Sequence, residues 1–105
     1  MGMDQVFKAL ADPTRRQVLR LLKDREMSAG QLAEQFDITA PSMSHHFNIL
    51  KQADLISSRR DGQQIFYALN TTVFQDVMTV MLETFAHDKD DKESEQGDAS
   101  EGAKS

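Results

Sequence analysis

From Thr39 to Ala53 the chain reads TAPSMSHHFNILKQA, and its apolar and polar positions separate cleanly on a helix. Met43, Phe47 and Leu50 recur at i, i+4 and i+7, which puts them on one narrow face. Pro41, His45, Asn48 and Gln52 step round to the opposite side, with Ser42 and Ser44 on the flanks and His46 near the edge of the apolar keel. No Asp or Glu interrupts the run before Asp54. An outer face of small polar groups that does not repel anions meets the requirement for a helix entering the DNA major groove. An ordinary amphipathic helix would share that pattern, so the flanking elements have to decide between the two.

The same spacing predicts three helices before this one. Met3, Val6, Phe7 and Leu10 predict a short first helix. Asp12 as N-cap and Pro13 at the first position open a second, which runs to about Lys23. It turns Val18, Leu21 and Leu22 inward and Arg16, Arg20 and Lys23 outward, a basic side open to solvent or phosphate. Ser28 and Gln31 form a capping box for a third helix, with Met27 stapling onto Leu32 and Leu32, Ala33 and Phe36 as its apolar side. Asp37-Ile38 is then a tight corner, with Asp37 suited to a left-handed backbone and Ile38 stapling onto Met43. Two short helices joined in this way are a helix-turn-helix.

Two strand-like runs follow, Leu55–Arg60 and Gln64–Leu69, around an Asp61-Gly62 turn. A hairpin in this place is a wing, with Arg59, Arg60, Gln63 and Gln64 crowding its tip. These residues can contact phosphate or the minor groove, or simply blunt an exposed sheet edge. Asn70 caps a last helix, with Leu69 and Phe74 as its staple. Gln75, Asp76, Thr79 and Glu83 fill only about 100° of that helix, whereas Val73, Phe74, Val77, Met78, Val80, Met81, Leu82 and Phe85 fill roughly 200°. One core contact needs about half that width, so a second copy of the chain is expected to cover the rest. The expected dimer interface is Met3, Val6 and Phe7 from the first helix and Phe74, Met78, Met81, Leu82 and Phe85 from the last. The expected fold is mainly α with a β-hairpin, a winged helix-turn-helix over residues 1–86. A disordered acidic tail is expected over 87–105, where no large apolar residue remains.

Composition changes the picture in two places. The net charge of −5 argues against nucleic-acid binding if taken whole. Residues 87–105, however, hold 7 acidic against 3 basic groups, or −4, leaving 10 against 9, or −1, for residues 1–86. The absence of cysteine removes disulfides, thiolate metal ligands and thiol redox sensing. No apolar run approaches the roughly 18 residues of a membrane span and no signal peptide is visible, so a cytoplasmic location is expected. No nucleophile–base pair, phosphate loop or metal cage suggests an enzyme.

Three blocks, FKALADPTRRQVLRLL, SHHFNILKQADLI and RRDGQQIFYAL, together resemble the ArsR/SmtB-type winged helix-turn-helix repressors over nearly all of residues 3–86. Through VFKALADPTRR and LNTTVFQD the chain looks most like the metal-independent SdpR-type autorepressors. The resemblance implies a homodimer on a short double-stranded operator, released by an effector or partner protein whose nature the sequence does not give. It also implies DNA contacts from Ser42, Ser44 and His45. Thr39 and Pro41 at the helix N-terminus, Asn48, and Arg59, Arg60 and Gln63 in the wing extend that candidate surface, and His46 is expected to pack or to reach a phosphate. Metal-sensing relatives carry a cysteine pair before the recognition helix, where this chain has SAGQLAEQF. The last helix offers only Asp76, Glu83 and His87, without the second histidine of the usual four-ligand set. No metal or other cofactor is therefore expected. An effector- or metal-gated repressor with a site on the last helix, and a winged-helix protein-interaction module, remain the alternatives.

Overall fold

A computed structural model describes residues 2–96, with side chains described through residue 86. The order is α1 (Met3–Leu10), α2 (Pro13–Leu22), β1 (Met27–Ser28), α3 (Ala29–Ala33), α4 (Ala40–Gln52), β2 (Ile56–Asp61), β3 (Gln64–Leu69) and α5 (Thr71–Gln96). One compact unit reaches to Phe74, and a second begins at Gln75 within α5.

The helix starts follow from local chemistry. Asp12 accepts from the backbone N–H groups of Thr14 (2.8 Å) and Arg15 (3.3 Å). Burial raises the Asp12 pKa, but these two bonds, with the nearby His46 and Arg15 charges, outweigh it and hold the carboxyl below its usual value. The Ser28–Gln31 capping box is complete in both directions. Thr39 caps α4 through Ser42 N–H (3.3 Å) and Asn70 caps α5 through Val73 N–H (3.3 Å).

Val6, Ala9, Val18, Leu22, Leu32, Met43, Phe47, Leu50, Leu55 and Ile56 are all buried in the first unit, where α1 packs on both α2 and α4. Tyr67 of β3 closes this core, its ring centroid 4.5 Å from that of Phe47. The keel of α4 is thus held from two sides, by helices and by the sheet.

Several details differ from expectation. The hairpin gains a third strand, in the order β1-β3-β2, with Met27 opposite Tyr67 and Ser28 opposite Phe66. Two residues show no alternation, and Ser28 ends the strand at once by capping α3. That helix stops at Ala33, and Phe36 lies beyond it, its N–H bonded to the Ala33 carbonyl in a turn. Asp37 is not left-handed; Asp54 is, at φ 60°. There Leu55 N–H reaches Leu50 O and Asp54 N–H reaches Lys51 O, the paired bonds of a Schellman stop for α4. Ile38 remains 40% exposed, so its staple onto Met43 is incomplete. Because Asp61 pairs with Gln64, the hairpin turn is Gly62-Gln63, one residue later than expected, with Gly62 at φ 66°. Leu19 and Ile49 join the core, whereas Leu21 is only half-buried.

Val6 is completely buried inside its own chain and has no surface left for a partner. Helix α5 runs on to Gln96, into the stretch expected to be disordered. His87 to Gln96 contains neither Gly nor Pro, so nothing in it stops a helix begun at Thr71. The rest of the expected tail lies outside the described residues.

Candidate DNA-binding surface

Pro41, Ser42, Ser44, His45, Asn48 and Gln52 are all exposed on α4, opposite the buried Met43, Phe47 and Leu50. Thr39, also exposed, does more than cap: its hydroxyl donates to Ser42 Oγ at 3.1 Å, setting the first turn. The early N–H groups and the positive end of the helix dipole sit at this edge, where a phosphate oxygen is favoured. The carboxylate of Asp54 lies beyond the other end of α4. Apart from His46, the sequence-predicted residues of the helix therefore share one continuous polar face.

His46 is separate from that face. It is half-buried, and its Nδ1 lies 3.0 Å from Arg15 Nη1. Burial pushes the imidazole pKa down; Arg15 and His45 lower it further, against the opposing pull of Asp12. The lowered pKa favours the neutral ring, which meets Arg15 and not the outer face of α4.

Arg15 is the residue that sequence reasoning missed. It is 8% exposed, and its guanidinium donates to Ala9 O (2.8 Å) and Lys8 O (2.9 Å) at the end of α1 as well as meeting His46. A signal was available: Arg15 stands three, four and seven residues before Val18, Leu19 and Leu22, on the apolar side of α2. Its outward-facing neighbours behave differently. Arg16 donates to Leu10 O and Arg20 to the Gln17 side chain, and both are exposed.

In the wing the two arginines part company. Arg59 makes a two-pronged pair with Glu26, with both N···O distances 2.8 Å, and its guanidinium lies 4.6 Å above the Phe66 ring. The bond from Arg59 lowers the Glu26 pKa and raises that of Arg59 in return. Arg60 pairs with Ile65, two positions from the Ser58–Tyr67 pair. By strand alternation it projects on the Tyr67 face, the one packed on α4, while Arg59 occupies the other. Gln63, in the turn itself, is exposed. The structure thus brings Arg60 to the recognition-helix side and ties Arg59 back to the loop before β1.

A tight two-helix corner, a second helix with a polar outer face and a wing directly after it define a winged helix-turn-helix DNA-binding protein. A helix-turn-helix domain model matches residues 10–59. The transcriptional repressor SdpR of Bacillus subtilis (strain 168) is 60% identical over 80 residues, covering 76% of this chain and 89% of that one. The arsenical resistance operon repressor of Staphylococcus aureus is 33% identical, covering 72% and 73%. The crystal structure of an ArsR family transcriptional regulator superposes with a TM-score of 0.76 at 30% identity, over 83% of this chain and 96% of that one. The chain belongs to the ArsR/SmtB-type family of winged helix-turn-helix transcription regulators, which are not enzymes. Among the described residues no helix is long and apolar enough to cross a membrane.

Proposed function

We propose that this chain is a homodimeric repressor that binds a short operator, upstream of its own gene among other places, without a metal or thiol sensor. The observation that carries the reading is the face of α4. Thr39, Pro41, Ser42, Ser44, His45 and Asn48 are exposed together, free of carboxylates, on a helix immobilised from behind. Two such helices related by a dimer axis enter successive major grooves about 34 Å apart, which calls for an imperfect palindrome. Asn48 can pair with adenine through two bonds, His45 offers one ring nitrogen or the other, and the serines adapt to either partner. Arg60 and Gln63 reach the flanking backbone or minor groove, and Arg59 joins them only by leaving Glu26. With so few arginines on α4, sequence-dependent DNA shape carries part of the specificity.

Apolar side chains left in solvent support the dimer. Phe7 on α1 is 51% exposed; on α5, Leu82 and Phe85 are 64% and 60% exposed, with Met78 at 40%. Phe74, Met81 and Met3 are partly covered. The repressor names of the relatives support the direction of regulation.

The test is footprinting of the protein on DNA upstream of its own gene, followed by titration of the protected duplex and a shuffled one. The reading expects protection over a palindrome and a preference of at least about a thousandfold for it. Equal affinity for both duplexes contradicts it.

A further inference from the structure

We propose that Arg15 is a positioning residue for DNA recognition, acting through His46 to fix α4 against the end of α1. The proposal rests on the reading of α4 as the recognition helix. The same guanidinium makes three bonds: two to the last-turn carbonyls of α1, from Lys8 and Ala9, and one to a ring nitrogen in the middle of α4. A guanidinium has donors only, so His46 Nδ1 must accept and the ring proton must sit on Nε2. His46 immediately follows His45, so a small rotation of α4 at this point displaces the outer face at its centre. Arg15, one turn into α2, is rooted by its own backbone bond to Asp12. One buried side chain therefore ties α1, α2 and α4 together.

The latch has a built-in condition. Protonated His46 has no acceptor and sets two donors and two positive charges face to face at 3.0 Å. The bond exists only while the imidazole is neutral. The groups that act on His46 are Asp12 and Arg15 from α2 and its neighbour His45 on α4. From α1 the charged side chains are Asp4 and Lys8, both exposed. Acidification through the range below the ordinary histidine value releases α4 from Arg15. Extra positive charge alone strengthens binding to any DNA, so the operator-to-shuffled affinity ratio, not bare affinity, reports the latch.

The experiment measures that ratio by fluorescence anisotropy on the full chain, using the footprinted duplex and its shuffled counterpart, from about pH 8 to about pH 5. Wild type, His46→Asn, His46→Leu and Arg15→Lys are compared, with thermal melts to verify folding. Asparagine keeps an acceptor near the Nδ1 position and cannot be protonated.

Wild type should lose at least about tenfold of its ratio on acidification, and His46→Asn should hold its ratio flat. His46→Leu and Arg15→Lys should start about tenfold lower and change little with pH. A His46→Leu ratio equal to wild type, or an acid-dependent loss that persists in His46→Asn, overturns the latch. Ring-nitrogen NMR of His46 decides it without DNA: an unprotonated Nδ1 at neutral pH that changes in Arg15→Lys supports it, and a protonated Nδ1 or an unchanged signal overturns it. Should wild type fail to distinguish the duplexes, the reading of function falls, and the NMR result still decides the latch.

Discussion

Arg59 and Arg60 are adjacent in sequence and alike in chemistry, yet the fold gives them different work. Arg59 is committed to Glu26 and to the face of Phe66, while Arg60 faces the side of α4. Arg60→Ala should weaken binding on operator and random DNA alike and reduce the salt slope by about one, as for one phosphate contact. Arg59→Ala should do so less. Equal slopes for wild type and Arg60→Ala in a salt titration would remove the wing from the DNA surface. Only strand register, set here by the Asp61–Gln64 pairing, tells the two arginines apart, and a one-residue error in the turn exchanges their faces. The basic character of the tip was legible in the sequence; the division of labour was not. Arg15 was hidden for a related reason: a charged residue on a helix reads as solvent-facing until its acceptors, the carbonyls of another helix, are known. At residue scale, then, the sequence reports which groups are present, and long-range partners determine what each does.

Helix α4 shows what local chemistry does settle. Its keel, its Thr39 cap and its polar face were all readable, because each depends on residues within one or two turns. Thr39→Ala should cost about 1 kcal/mol of stability by freeing Ser42 N–H, measurable as a lower urea midpoint. The left-handed residue was misplaced: it is Asp54 after α4 and not Asp37 before it, since both aspartates tolerate that backbone and only the second is forced into it. Asp54→Gly should relieve that strain and remove a negative charge from the carbonyl end of α4, raising stability by roughly 0.5–1 kcal/mol. For a domain of this size that corresponds to a melting temperature several degrees higher, on the order of 4–8 °C per kcal/mol. A lower melting temperature would contradict the stop geometry. His46 adds a pH term at this scale. Its pKa is lowered in the fold, so the unfolded chain binds the extra proton first. Stability should therefore fall as pH drops below about 6.5, toward the folded value.

For the whole molecule, the winged helix-turn-helix and its element order were readable because three blocks of pattern reinforce one another. The two-residue β1 and the length of α5 were not, the first being too short for periodicity and the second depending on the absence of a stop before Gly97. The apolar surplus of α5 was visible as a pattern and reappears as exposed Leu82 and Phe85. Leu82→Glu should convert the proposed dimer to monomer in sedimentation and weaken operator binding by at least about tenfold, since half-sites then bind independently. A dimer indifferent to that change would assign the apolar side of α5 to some other partner. The central claim is that the outer face of α4 reads base edges. Its most direct test is the affinity of His45→Ala for the footprinted operator and for a shuffled duplex. The account predicts a loss worth about 1–3 kcal/mol on the operator with little change on shuffled DNA. Equal losses on the two, or none on the operator, would contradict it.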